Sequence, residues 1–278
     1  MTDTNTAPII EVRDLVAHYG SRKILNGISL DIAAGEVLVI MGGSGSGKST
    51  FLRHLLGLEI RTSGSVKILG QDTSSLGLKE LLALRREMGV AFQGGALLSS
   101  LTVAQNIMLP LSEHTKLDPQ TQEIMARLKL EVVDLAGFGD LMPSELSGGM
   151  LKRAALARAI IMDPKLLFCD EPSAGLDPVV SAQIDDLLLD LRAAMDMTIV
   201  VVTHELESAF KIADRIAVLD KGDLLFLGTV AEVKDSKNER VQNLLNRRTE
   251  EDILRPDEYL ERLTGVAVDT SADTARRL

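Results

Sequence analysis

The sequence predicts an α/β domain built on a mainly parallel sheet, and three observations carry that expectation. The run Glu36 to Met41 (EVLVIM), flanked by Gly35 and Gly42, is β-branched and continuous, as a buried parallel strand is. A glycine-rich loop follows at once, and from Ser49 to Gly57 the apolar spacing turns helical. Strand-like runs return at Lys165 to Cys169 and at Thr198 to Val202, with a helix-like stretch, Ser181 to Ala194, between them. That alternation is the βαβ signal.

The remaining elements fall around this frame. From Ile9 to about Asp31 the pattern is short and strand-like, with turn residues at Gly20-Ser21 and Asn26-Gly27. It reads as an N-terminal antiparallel β subdomain. The stretch from about Gly95 to Met162 is mainly helical in pattern and is broken at Pro110, Pro119 and Pro143. A helical subdomain over about 95–163, inserted between sheet strands, is expected there. Asp220-Lys221-Gly222-Asp223 reads as a hairpin turn between two last strands. The main domain is expected over 8–246. The charged stretch 247–278 is read as a C-terminal extension, partly flexible.

Composition excludes several function classes. A chain of 278 residues suffices for one large domain with a sizeable core. The formal net charge of −10 argues against a nucleic-acid partner, since phosphate binding relies on clustered Lys and Arg. No apolar run approaches the roughly 18 residues that span a bilayer, and the N-terminus lacks a signal-peptide pattern. Any membrane link is therefore expected to come through a partner. The single cysteine, Cys169, lies in an apolar run and reads as a small buried strand residue. His18, His54 and His114 show no metal-ligand spacing.

Residues 42–49 read GGSGSGKS and satisfy G-x-x-x-x-G-K-[ST] at every defined position. Glycines let the backbone curl and aim its N–H groups at phosphate oxygens, and the helix that follows adds its positive N-terminal dipole. The phosphate-contacting set is Gly42, Gly43, Ser44, Gly45, Ser46, Gly47, Lys48, Ser49 and Thr50. Within it, Lys48 reaches the β- and γ-phosphates and the Ser49 hydroxyl coordinates Mg²⁺. The second acidic site is Leu166 to Glu171 (LLFCDE), a strand ending in two carboxylates. Ligands of such sheets bind at the carboxyl ends of the strands, so both acids are expected to face the phosphate loop. Asp170 suits a Mg²⁺ partner and Glu171 a base for the attacking water. The fold expected is thus a P-loop NTPase core of the RecA-like type.

Leu146 to Met150 reads LSGGM, which closely resembles the LSGGQ signature of ATP-binding-cassette (ABC) proteins. Six motifs occur in the family's order, and the resemblance covers Ile9 to Gly228. It implies an ATPase subunit of a transporter, using ATP and Mg²⁺. By the same resemblance Tyr19 stacks on adenine, and Gln93 touches Mg²⁺ and the attacking water. His204 contacts the γ-phosphate, and the loop Ser173 to Asp177 crosses a dimer interface, with Asp177 near the nucleotide. Ser147, Gly148 and Gly149 present backbone N–H groups at a helix N-terminus to a second ATP. The family places that ATP on the facing copy. One set of motifs per chain therefore implies a homodimer that sandwiches two ATPs, and integral membrane permease subunits as further partners.

Met150 departs from the usual glutamine, and Gly94 to Val103 (GGALLSSLTV) differs from the loop of amino-acid and metal importers. Both features resemble the ATPases of Mla-type lipid transporters. That resemblance implies phospholipid transport, an MCE-domain lipid-binding partner, a small accessory subunit, and a place on the cytoplasmic face of a bacterial inner membrane. The alternatives are an importer ATPase for another small solute, a cassette ATPase of translation or DNA repair, and a regulatory module that no longer hydrolyses ATP. Cassettes of translation or repair typically come in pairs or with a long coiled-coil insertion, which fits neither this length nor this acidity. The presence of Glu171 and His204 argues against the silent module.

Overall fold

The computed structural model describes residues 7–246. The expected extension over 247–278 lies outside the described residues. By its contacts the chain divides into two units, residues 1–236 and 237–278.

The first unit holds two sheets. The smaller is antiparallel, in the order β2-β1-β4-β5: β1 (Ile10–Tyr19), β2 (Arg22–Ile32), β4 (Ser63–Ile68) and β5 (Gln71–Asp72). The larger runs β10-β9-β3-β8-β7-β6, with β3 (Val37–Met41), β6 (Met88–Ala91), β7 (Leu166–Asp170), β8 (Thr198–Val202), β9 (Arg215–Asp220) and β10 (Asp223–Thr229). Its strands pair in parallel except for the hairpin β9–β10. The Lys221-Gly222 corner, with φ of 49° and 87°, supplies the positive-φ pair that a tight hairpin needs.

Helix α1 (Lys48–Leu55) lies between the sheets. It buries Phe51, Leu52 and Leu55 in one core with Ile10, Leu25 and Ile28 of the small sheet and Leu38, Ile40, Phe168 and Val200 of the large one. That packing fixes the loop at the helix N-terminus. Truncating Phe51 to alanine would cost about 3–5 kcal/mol. Helix α2 (Leu78–Arg86) leads into β6.

Between β6 and β7 come α3 (Val103–His114), α4 (Pro119–Val132) and α5 (Gly148–Ala159), with a 3-10 turn at Pro143–Glu145. Side-chain caps start all three helices: Thr102 with a reciprocal Gln105, then Asp118, then Ser147. Helices α6 (Pro178–Met195), α7 (Leu206–Ile212) and α8 (Val230–Lys234) complete the unit. The described part of the second unit contains α9 (Glu239–Leu245).

Three expectations about local structure are corrected. Asn26-Gly27 is no turn; it lies inside β2, where Gly27 (φ 98°) is the extra residue of a bulge, since Leu15 faces Ile28 and Val16 faces Asn26. The Asn26 amide donates to the Lys221 carbonyl and to Asp223, which ties the bulge to the β9–β10 hairpin. Pro110 does not break the helical pattern but sits inside α3. The helix loses one rung there, yet the Thr102–Gln105 box and the buried Asn106 amide, bonded to the carbonyls of Leu98, Leu101 and Thr102, hold its first turns. Helix α6 begins at Pro178 rather than Ser181, because Asp177 caps it and proline suits the first helical position.

Candidate active site

The parallel register brings the motif-bearing loops to one edge of the large sheet. Ile40 faces Val202, Asp170 faces Val202, and Ala91 faces Cys169. The loops after β3, β8, β7 and β6 therefore emerge side by side, carrying Gly42 to Gly47, Thr203-His204, Asp170-Glu171 and Phe92-Gln93 in turn.

The phosphate loop is shaped by its packing. A Cβ at Gly42 would stand 2.2 Å from the Leu219 carbonyl and 2.5 Å from Ser46 Oγ, so any side chain would fill the cradle. Gly47 caps α1 in the left-handed region (φ 103°), where a Cβ would also strike Leu25. No side chain caps α1, so the amides of its first turn stay available to an anion. Ser46 Oγ is buried without a hydrogen-bond partner and lies in the same curl. Lys48 Nζ donates to the carbonyls of Gly42 (2.7 Å) and Gly43 (3.0 Å). Burial lowers the Lys48 pKa, while Glu171 and Asp170 oppose that shift. A half-buried ammonium, an orphaned hydroxyl and free helix-start amides fit a polyphosphate.

A cleft of about 250 Å³ is lined by Gly45 to Thr50 together with Tyr19, Arg22 and Ile24. Tyr19 is half exposed and held by its hydroxyl, which donates to both oxygens of Glu59 (2.6 and 2.7 Å), with Arg53 bracing the pair. Sequence reasoning named Tyr19 but neither the buttress Glu59 and Arg53 nor the lining residues Arg22 and Ile24, which belong to no motif.

Behind the loop stands the acid pair. Glu171 is nearly buried and has φ 50°, a left-handed conformation that a non-glycine residue holds only when its surroundings fix it. Its N–H donates to the Val202 carbonyl (2.8 Å), its Oε2 accepts from Thr203 Oγ1 (3.2 Å), and its Oε1 lies 2.7 Å from His204 Nδ1. Burial raises the Asp170 pKa; the neighbouring Glu171 adds to the shift and Lys48 opposes it. Asp170, the exposed Ser49 hydroxyl and the exposed Gln93 amide offer hard oxygens beside an excess of negative charge, which fits Mg²⁺. Cys169, one residue before, is fully buried, and burial pushes its thiol up to about 12, so it is inert.

The signature residues lie outside that cleft. Ser147 caps α5, its Oγ accepting from the Met150 N–H (3.3 Å), and Ser147 and Gly148 are exposed. A Cβ at Gly149 would come within 2.6 Å of Val180, and one at Gly148 would meet the end of Leu176 at 3.3 Å, so the turn is tightest at Gly149. Asp177 accepts from the N–H groups of Val179 and Val180 as the α6 cap. In the same loop the buried Ser173 hydroxyl donates to Glu205 (2.9 Å).

This fold and this cradle define a P-loop nucleotide hydrolase. Comparison with known proteins narrows the class. The family model described as ABC transporter matches residues 25–174. The chain is 41% identical over 239 residues, 86% of its length, to a probable ribonucleotide transport ATP-binding protein of Mycobacterium leprae, covering 69% of that protein. It is 42% identical to a methionine import ATP-binding protein of Haemophilus influenzae, with 86% and 69% covered. It is 38% identical to the intermembrane phospholipid transport system ATP-binding protein MlaF of H. influenzae, with 85% and 90% covered. A solved dimeric ATP-binding cassette in a post-hydrolysis state, bound to ADP and Pi, superposes with a TM-score of 0.73 at 31% identity, covering 80% of this chain and 98% of that one.

The chain therefore belongs to the ABC transporter family, as its ATP-binding subunit. It is an ATPase that uses ATP with Mg²⁺ and works with membrane permease subunits. No helix among the described residues is long and apolar enough to cross a membrane.

Proposed function

We propose that the chain energises phospholipid transport, working as a homodimer on the cytoplasmic face of a bacterial inner membrane. The observation that carries the lipid reading is the match to a phospholipid-transport ATPase over 90% of that protein's length. Met150 and the loop Gly94 to Val103 support it from the sequence. An MCE-domain lipid-binding protein and a small accessory subunit accompany the permease in this reading, and residues 95–163 serve as the helical subdomain. The comparable identity to a methionine importer favours a second reading, an importer ATPase for a small solute.

The site residues take these roles. Residues 42–50 cradle the phosphates through backbone N–H groups, with Lys48 on the β- and γ-oxygens. Ser49, Asp170 and Gln93 would hold Mg²⁺, which when bound neutralises charge on those oxygens. Glu171 orients the attacking water and accepts its proton, and Gln93 helps place it. His204, steadied by Glu171, donates to the γ-phosphate, while Tyr19 stacks on the adenine. Ser147, Gly148 and Gly149 close the second copy's site, with Asp177 fixing the loop between the copies.

A mild-detergent pull-down of the tagged full-length chain tests the lipid assignment, with mass spectrometry of proteins and lipids. The expected result is a multi-span permease, an MCE-domain protein and bound phospholipid. Recovery of a different permease with a soluble solute-binding protein would overturn the lipid reading in favour of the second.

A further inference from the structure

A buried lysine with no place in any motif joins the two loops that carry the candidate catalytic groups. Lys152 lies in α5, five residues after Ser147, and only 9% of it is exposed. Its Nζ donates to the backbone carbonyl of Glu171 at 2.8 Å and makes a very close contact with the backbone carbonyl of Gln93. One ammonium group therefore spans the ends of β6 and β7. A second tie runs from the same helix: Arg158 donates to the carbonyls of Gly95 (2.8 Å) and Ala96 (2.7 Å), just after Gln93.

The bond to Glu171 falls where the backbone needs it. A non-glycine residue at φ 50° is disfavoured by about 1–2 kcal/mol, so this peptide keeps its orientation only through what grips it. The Val202 carbonyl takes the Glu171 N–H, and Lys152 takes its carbonyl. Burial draws the Lys152 pKa down, while Glu171, Asp170 and Glu205 oppose that shift. An ammonium group placed in so dry a position without a partner would be costly, and the two carbonyls and the surrounding carboxylates compensate it.

We infer that Lys152 is a positioning residue for hydrolysis: from the signature helix it fixes the main chain of Glu171 and of Gln93, so that both side chains address the same water. This rests on the roles proposed above for Glu171 and Gln93. Because α5 starts at Ser147-Gly148-Gly149, displacement of the signature turn reaches Glu171 through one side chain. The alignment of the acid pair is thus tied to the position of the signature.

The test uses the full-length chain and steady-state phosphate release, with fluorescent-ATP binding, ATP-dependent dimerisation and Tm measured alongside. Lys152→Met keeps the length and removes the donors and the charge. Its kcat is expected to fall by about 10²-fold, the scale of an ångström-sized misplacement, with KM and ATP affinity within about threefold of the parent. Lys152→Arg, which restores charged donors, is expected to recover most of that loss. A merely structural lysine would lower Tm and ATP affinity together, and arginine in so tight a slot would rescue nothing. A Lys152→Met kcat within about twofold of the parent overturns the inference, as does a Lys152→Arg kcat no better than that of Lys152→Met. If Lys152→Met does not fold, Lys152→Leu, which likewise lacks N–H donors and charge, takes its place under the same criteria. Glu171→Gln, run in parallel, separates the two levels. Full activity in that variant defeats the role given to Glu171; a dead Glu171→Gln beside an active Lys152→Met defeats only the inference about Lys152.

Discussion

Two glycine-rich turns open helices in this chain, Gly42 to Gly47 before α1 and Leu146 to Gly149 before α5. The first shares its cleft with Tyr19 and lies at the sheet edge where Asp170, Glu171 and His204 emerge. It has a lysine folded into it and no side-chain cap. The second is absent from that cleft; a Cβ at its glycines would meet Leu176 and Val180, and Ser147 serves as an ordinary helix cap. Similar composition thus gives one turn gathered with the candidate catalytic groups and one that stands apart from them. Around the second turn the exposed face of Ser147 and Gly148 has anion donors, and no cation of its own motif stands beside it. A partner bearing the other half, an ATP on a second copy of the chain, is the simplest complement.

Variants of the two turns sharpen that contrast. The largest effect belongs to Lys48→Ala, where loss of the phosphate contact should cut turnover by about 10³-fold or more in a phosphate-release assay. Near-normal turnover would remove the first turn from the chemistry. Glu171→Gln should slow hydrolysis by about 10²-fold while leaving ATP binding intact, so that an ATP-stabilised dimer accumulates on gel filtration. A monomer under those conditions would separate the two turns altogether. Gly149→Ala carries the smallest effect. The added methyl would press on Val180, and repacking should cost about 1–3 kcal/mol, read as a fall of several degrees in Tm. An unchanged Tm would show that the turn is looser than its contacts.

The legible parts of the fold were those written in local pattern. The run Glu36 to Met41, the loop Gly42 to Ser49 and the helix after it announce themselves within twenty residues, and the structure places all three. Asn26-Gly27 misled because a bulge and a hairpin turn both call for positive φ, and only the partner strand distinguishes them. Strands β4 and β6 carry weak signals: β4 begins Ser63-Gly64-Ser65 and β6 has four residues, so their pairing with β1 and β7 rather than propensity defines them. Lys152 stayed hidden for a related reason. In sequence it stands beside Arg153 in the helical run after the signature, and only the fold turns Arg153 towards Asp134 and Lys152 inward to two carbonyls. Periodicity on α5 gives no warning, because Ala154 and Ala157 are buried as well as Ala155, Leu156 and Ala159, so the helix has no clear polar face against which a buried lysine would stand out.

Mixing two inactive variants tests the central claim, that each ATP site is completed by the signature of a second copy. Full-length Lys48→Ala has a dead phosphate loop and a sound signature; full-length Ser147→Arg has the reverse. Each alone should be silent. In a mixed dimer one site joins the sound loop of one chain to the sound signature of the other. Equal mixing should therefore restore roughly a quarter of the parent turnover, from half the dimers with one working site each. A mixture no more active than its two components would contradict the shared site and place the signature's role within its own chain.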